Sequence, residues 1–341
     1  MTSPRATGKV TMSDVARHAK VSRTAVSFAL SDPEHPSVSA ETRQRILEAV
    51  ADLGYRPNAG ARALASRRSD WYGLVTEIVT APFAVNIIKG AQDRAWHDRR
   101  FVLIASSEGD GDMEEAAVEK LLEQRVEGLL YAATWHRAVK VPDIAHEVPT
   151  VLVNCFDADG VLPSIVPDEV AGGRRATERL LAAGHRRIGL ITFDSDIPAA
   201  IGRRDGYSSA LRAAGGDLDD ELVVGGGATA TDGYAAAVRL LDLPVPPTAI
   251  FCANDRMAMG AYDAIKERGL TIPGDISVVG FDNQELISAY LRPSLTTVAL
   301  PFEEMGARGV DLLSELTSGQ VTGPLQVVVD CPLVERSSVR P

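Results

Sequence analysis

Cysteine is scarce in this chain of 341 residues: Cys155, Cys252 and Cys331 lie far apart, each within an apolar stretch. Three such thiols build no disulfide framework and match no zinc-ligand spacing, so they are expected to be buried and free. Long apolar runs are missing too, and none approaches the roughly 20 residues that a membrane span requires. The first stretch, MTSPRATGKVTMSD, has no apolar centre of the kind a secretion signal carries. A cytoplasmic protein with no membrane partner is the expectation.

Catalytic and metal-binding signatures are equally lacking. The six histidines show no H-E-x-x-H or comparable spacing, and no serine sits in G-x-S-x-G. EGDGDMEE (108–115) alternates acids but lacks the ligand spacing of a calcium loop and runs straight into a helix, so it reads as a solvated turn. The glycines at 225–227 are followed by no lysine or further glycine placed to cradle phosphate. No metal, cofactor or catalytic activity is expected.

What is present is 45% hydrophobic residues, enough for a large core and two or three domains, together with an uneven charge. The net charge is −11, yet residues 1–69 hold eleven Lys/Arg against six Asp/Glu, a balance of +5 that leaves −16 for the rest. A basic head on an acidic body implies that only the head approaches a polyanion.

Within that head, Thr11 is placed to cap a helix starting at Met12, with Asp14 at a position favourable to the helix N-terminus. The chain turns through Lys20–Val21, and Ser22 caps a second helix from Arg23 to Leu30. There Val26 and Leu30 point inward, while Arg23, Thr24 and Ser27 lie on the open side. A third helix begins after Ser39, carries Ile46, Val50 and Leu53, and stops at Gly54. A plain helical bundle would satisfy the apolar stripes. The turn spacing and the local positive charge favour a helix-turn-helix unit with its second helix presented outward. In YRPNAGARALASRR (55–68) Pro57 suits a helix start, but Gly60 weakens it and the segment is too short to be stable alone.

From Trp71 onward, strand-like runs such as FVLIAS, TVLVN, RIGLITF, AIFCA and ISVVGF alternate with helical stretches such as EEAAVEKLLEQ and DRMAMGAYDAIKE. That alternation predicts parallel sheets covered by helices on both faces. Polar residues recur at the strand ends: Asn154, Asp194, Asn254, Asp255, Asp282 and Asn283. Ligands of open α/β sheets sit beyond those ends, so the recurrence points to a pocket.

VTMSDVARHAKVSRTAVSFALS followed by SAETRQRILEAVADLGYRPNAGARALAS resembles the DNA-binding head and hinge of lactose-repressor-type (LacI/GalR) transcription regulators. The resemblance continues through GHRRIGLI, RRDGYSSAL, AIFCANDRMAMGAYDAIKERGL and ISVVGFDN…RPSLTTV. It implies a helix-turn-helix domain over 9–56, a hinge helix and linker over 57–69, and an effector-binding and dimerisation domain over 70–341. The last would be a two-lobed α/β fold like that of periplasmic binding proteins. Lobe one would hold about 71–166 and 298–325, and lobe two about 167–297 and 326–336.

By the same resemblance Arg23 and Thr24 read bases, Ser22, Ser27 and Asn58 hold the phosphate backbone, and Leu64 wedges into the minor groove. Thr11, Tyr55 and Arg62 are matched as further DNA-binding positions. Phe28 stands where many family members have an arginine; unable to hydrogen-bond guanine, it is left to meet a thymine methyl or to pack. Arg203 matches the effector-gripping arginine, Asp282 an acceptor of effector protons, Asn254 and Asn154 pocket amides, and Phe83 and Phe302 apolar walls. Asp255 is expected to cap the following helix. Met259, Tyr290 and Leu291 match dimer contacts. APFA (81–84) and GGGATATDGY depart from the family's aromatic pattern. The implied partners are double-stranded operator DNA, a second copy of the chain, and a small-molecule effector, best read as a sugar or sugar derivative. A periplasmic-type binding protein without a DNA role, and a sugar-metabolising enzyme, are the rival functions.

Overall fold

Two units make up the chain, residues 1–69 and 70–341, and the computed structural model describes residues 10–31, 35–56 and 69–341. The first unit holds α1 (Met12–Ala19), α2 (Arg23–Ser31) and α3 (Ala40–Leu53), and a hydroxyl sets each start. The Thr11 hydroxyl accepts from Asp14 N, while the Asp14 carboxylate accepts from Thr11 N at 3.0 Å, a reciprocal cap. Ser22 accepts from Ala25 N at 3.0 Å and Ser39 from Thr42 N at 3.2 Å. At the other end of α3, Gly54 takes φ 61, a left-handed conformation that glycine reaches without strain.

One fully buried side chain from each helix, Val15, Val26 and Ile46, centres this small core. Phe28, half-buried, packs against it and stacks on His35 with ring centroids 3.9 Å apart. Tyr55, expected at the DNA surface, is also buried in this core. The reason is the fold-back after Gly54, where Tyr55 N donates to Val50 O at 3.0 Å.

The second unit opens with β1 (Trp71–Thr76), α4 (Pro82–His97), β2 (Phe101–Ser106), α5 (Gly111–Glu123), β3 (Leu129–Val139), β4 (Thr150–Asp157) and β5 (Ser164–Pro167). It continues through α6 (Glu169–Ala182), β6 (Ile188–Phe193), α7 (Pro198–Ala213), β7 (Val223–Gly226), α8 (Ala230–Leu241) and β8 (Ala249–Cys252). There follow α9 (Asp255–Glu267), β9 (Ser277–Asp282), α10 (Glu285–Ser288), β10 (Thr296–Ala299), α11 (Phe302–Ser318), β11 (Gln326–Val329) and β12 (Leu333–Val334). The turn in EGDGDMEE ends in Asp110, whose side chain caps α5.

The strands form two six-stranded sheets, β11-β5-β4-β3-β1-β2, wholly parallel, and β12-β10-β9-β8-β6-β7, parallel except for β12. Helices cover both faces of the central strands, so all residues of β6 and β9 are buried. Neighbouring Leu190 and Ile191 feed separate cores on opposite faces. Cys155, Cys252 and Cys331 are buried and free, and burial pushes the Cys155 thiol up to about 12. Among the described residues no helix is long and apolar enough to cross a membrane.

The chain passes between the lobes after β5, after β10 and after β11. Two boundaries differ from the expected lobes. Val298 and Ala299 belong to the second sheet, paired with β9, and residues 326–329 belong to the first, where Gln326 lies opposite Ser164. An open edge of β5 offers unpaired backbone groups that QVVV satisfies, so the return to the second lobe waits until β12.

Candidate functional site

On the first unit, Arg23 and Thr24 stand exposed in the first turn of α2, with Ser22 exposed before them and Ser27 half-buried one turn on. The other face of α2, through Val26 and Ala29, is buried. Arg43 of α3 donates to Ala29 O at 2.8 Å and ties down the end of α2. The Thr11 hydroxyl serves the α1 cap, donating to Asp14 Oδ2 at 2.6 Å. Asn58, Arg62 and Leu64 lie outside the described residues.

On the second unit, strand ends converge on Arg203. Two glycines bring its helix close to α6: a Cβ at Gly173 would run into the Arg203 backbone, and one at Gly206 into that of Val170. Arg203 in α7 therefore meets Glu169 at the start of α6. Its Nε donates to Glu169 Oε2 at 2.8 Å and its Nη2 to Oε1 at 3.4 Å. Nη1 donates to Ala253 O and, at 3.4 Å, to Asp282 Oδ1. The guanidinium carbon lies 3.7 Å from the centre of the Phe281 ring, a cation–π contact.

Arg203, Glu169 and Asp282 are 3%, 5% and 8% exposed, so their charges are set by one another. Burial acts to raise the Glu169 carboxyl, but Arg203 and His136 hold it below the usual carboxylate range. For Asp282 burial prevails, and despite Arg203 the carboxyl is pushed up to about 6. Asp282 and the following Asn283 both have positive φ, 99 and 52, which non-glycine residues seldom adopt.

The capping of α9 expected of Asp255 falls to Asn254. Asn254 is the N-cap of α9, accepting from Met257 N at 2.7 Å and donating to Ala228 O at 3.1 Å. Asp255, already inside the first turn, is fully buried and accepts from Thr297 Oγ1 at 2.6 Å and Gln284 N at 2.7 Å. Burial and the neighbouring Asp282 charge raise its carboxyl well above the ordinary range. Asn154, buried with φ 59, donates to Ala133 O at 3.1 Å. Phe83 and Phe302 pack on each other in the first-lobe core, ring centroids 4.9 Å apart.

Several residues at this convergence escaped the sequence reading. β3 runs on to Val139 and carries Trp135 and His136 to the second lobe, where Trp135 meets Phe193 edge to face. His136 Nδ1 lies 3.4 Å from Glu169 Oε1. Nothing in PDEV separated Glu169 from an ordinary acid at a helix start. Of the expected dimer residues, Met259 is half-buried on α9, Leu291 packs partly against the second-lobe core, and Tyr290 is 67% exposed.

Residues 11–58 match the family described as bacterial regulatory proteins, lacI family, and residues 177–339 match the periplasmic binding protein-like domain. The HTH-type transcriptional repressor CytR of Escherichia coli (strain K12) is 34% identical over 331 residues, 97% of this chain and 96% of that protein. The ribose operon repressor of Haemophilus influenzae is 32% identical over 329 residues, 96% of this chain and 98% of its own length. Among solved structures, the lac repressor dimer bound to operator and the anti-inducer ONPF is similar at TM-score 0.82 and 30% identity, covering 97% of this chain and 99% of that one. The complex of the transcriptional regulator CelR with cellobiose is similar at TM-score 0.68 and 31% identity, over 96% and 99%. Head and body are thus matched in order along nearly the whole chain, which a transport protein without a DNA role would not give. The chain belongs to the LacI family of DNA-binding transcriptional repressors.

Proposed function

We propose that this repressor binds a pseudo-palindromic operator as a homodimer and is controlled by a small ligand, a sugar or sugar derivative, held between the lobes of the second unit. The observation that carries the DNA side is the exposed Arg23–Thr24 pair on a helix whose other face is anchored in the head's core. An arginine can fork onto guanine, and a threonine can exchange hydrogen bonds or touch a thymine methyl. Ser22, Ser27 and Asn58 would hold phosphates, and Arg62 and Leu64 would act in the hinge, Leu64 as the minor-groove wedge.

One recognition helix covers only a half-site, so a two-fold protein suits a two-fold operator. The exposure of Tyr290 supports a dimer contact that Met259 and Leu291 would share, and the lac repressor neighbour is itself a dimer on its operator. Arg203 and Asp282 would meet the ligand. The names of the ribose operon repressor and of the CelR–cellobiose complex support the sugar class. The chain would have no catalytic role and would act on DNA in the cytoplasm. Binding-site selection followed by gel shift at several salt concentrations tests it. Expected are a palindromic consensus and affinity that falls steeply with salt; binding of one protomer to an asymmetric site overturns the dimer.

A further inference from the structure

Glu169 is not needed where it stands for the usual reason. Acids favour a helix N-terminus, but Asp168 already caps α6, its Oδ1 accepting from Ala171 N at 2.8 Å. Glu169 instead turns its carboxylate, 4% exposed, onto Arg203. A guanidinium has five N–H groups in a planar fork. Four of those on Arg203 have acceptors: Nε and one Nη2 hydrogen on Glu169, and the two Nη1 hydrogens on Ala253 O and Asp282. Its face is closed by Phe281.

An anionic ligand needs an open edge of that fork to bind bidentately. To gain one it must expel Glu169 and leave a buried carboxylate whose remaining neighbour is His136, 3.4 Å away. Among the other charges, the Arg256 Nε is buried and meets no acceptor among the described residues. Arg256 acts on Asp282, and Asp255 behind it is bonded to Thr297 and Gln284. A hydroxyl meets no such obstacle, because it can donate to Asp282 while accepting from the fifth N–H.

We propose that Glu169 sets the ligand class of this cleft: it occupies the Arg203 fork, bars phosphorylated and carboxylated ligands, and leaves the site to hydroxyl-bearing or amine-bearing ligands that carry no acidic group. This rests on the proposal that the cleft holds the effector, and it adds the charge class that proposal leaves open.

The test is calorimetric titration of the full chain, wild type and Glu169→Gln, at fixed ionic strength. The probes are ribose, adenosine, glucosamine, ribose 5-phosphate, gluconate and inorganic phosphate. Wild type is expected to bind one or more of the first three and none of the anions. Glu169→Gln is expected to gain binding of phosphate or ribose 5-phosphate by at least about tenfold, since its neutral amide no longer neutralises Arg203. A double variant, Glu169→Gln with Arg203→Gln, should lose that gain. Anion binding by wild type as tight as its binding of ribose overturns the proposal, and needs no variant to fold. So does an anion gain that survives in the double variant. If none of ribose, adenosine and glucosamine binds wild type while Glu169→Gln gains phosphate through Arg203, the exclusion by Glu169 stands and the sugar effector falls.

Discussion

Trp135 of the first lobe and Phe193 of the second meet edge to face, ring centroids 6.1 Å apart and planes at 85°. Both side chains sit where the strand ends of the two lobes converge. A ligand that alters lobe closure must change this contact. Ligand binding is therefore expected to shift Trp135 emission, and Trp135→Phe to abolish the shift, Trp71 and Trp96 being elsewhere on the first lobe. A fluorescence titration of both proteins checks it; an equal shift in the variant means the lobes do not move at this point.

His185 is 2% exposed, its ring nitrogens 2.9 Å from Thr248 Oγ1 and from Ser277 Oγ. Burial, with Arg340 and Arg179 nearby, lowers its pKa to about 4. The neutral ring is the bound form, so its contribution is present above the unfolded value of about 6.5 and lost as pH falls through about 4. Asp282 acts oppositely: with its carboxyl raised to about 6, its contribution is present below about 3.8 and lost as pH rises through 6. The His185 share is isolated by comparing urea midpoints of wild type and His185→Gln. Wild type should lose on the order of 2 kcal/mol more between about pH 7.5 and about pH 4 than the variant. Equal losses would refute the assignment.

Arg23→Ala should cost about 1–3 kcal/mol in operator binding and relax preference at one base pair per half-site. The fold of the head should be unaffected, because Arg23 is exposed. Binding-site selection on the variant decides it, and an unchanged consensus removes Arg23 from base reading.

Asp255→Ala should destabilise the second unit by about 1–3 kcal/mol, because the Thr297 hydroxyl and Gln284 N–H lose their acceptor inside the protein. Gln284 also donates to Asp282 at 3.2 Å, so ligand affinity should fall as well. Thermal unfolding and ligand titration of the same variant check both. A helix cap would be rescued by Asp255→Ser; this position, bonded to β10 and the loop after β9, should not be.

The head was legible because its determinants are local. The Thr11–Asp14 cap, the Ser22 and Ser39 starts and the Gly54 stop each involve partners within a few residues. The alternation of apolar runs likewise determined parallel α/β sheets covered by helices, since buried strands and amphipathic helices announce themselves by period. Only the tertiary structure decided what depends on distant partners. QVVV at 326–329 joined the first sheet because β5 left an edge open there, not because of its own residues. Tyr55 went into the core through one fold-back bond, and Asn254 and Asp255 took their roles from where α9 happens to start. Glu169 gave no sign in PDEV, because a carboxylate reveals its partner only when glycine-lined α6 and α7 pack and set it against Arg203, a contact made across 34 positions of the chain.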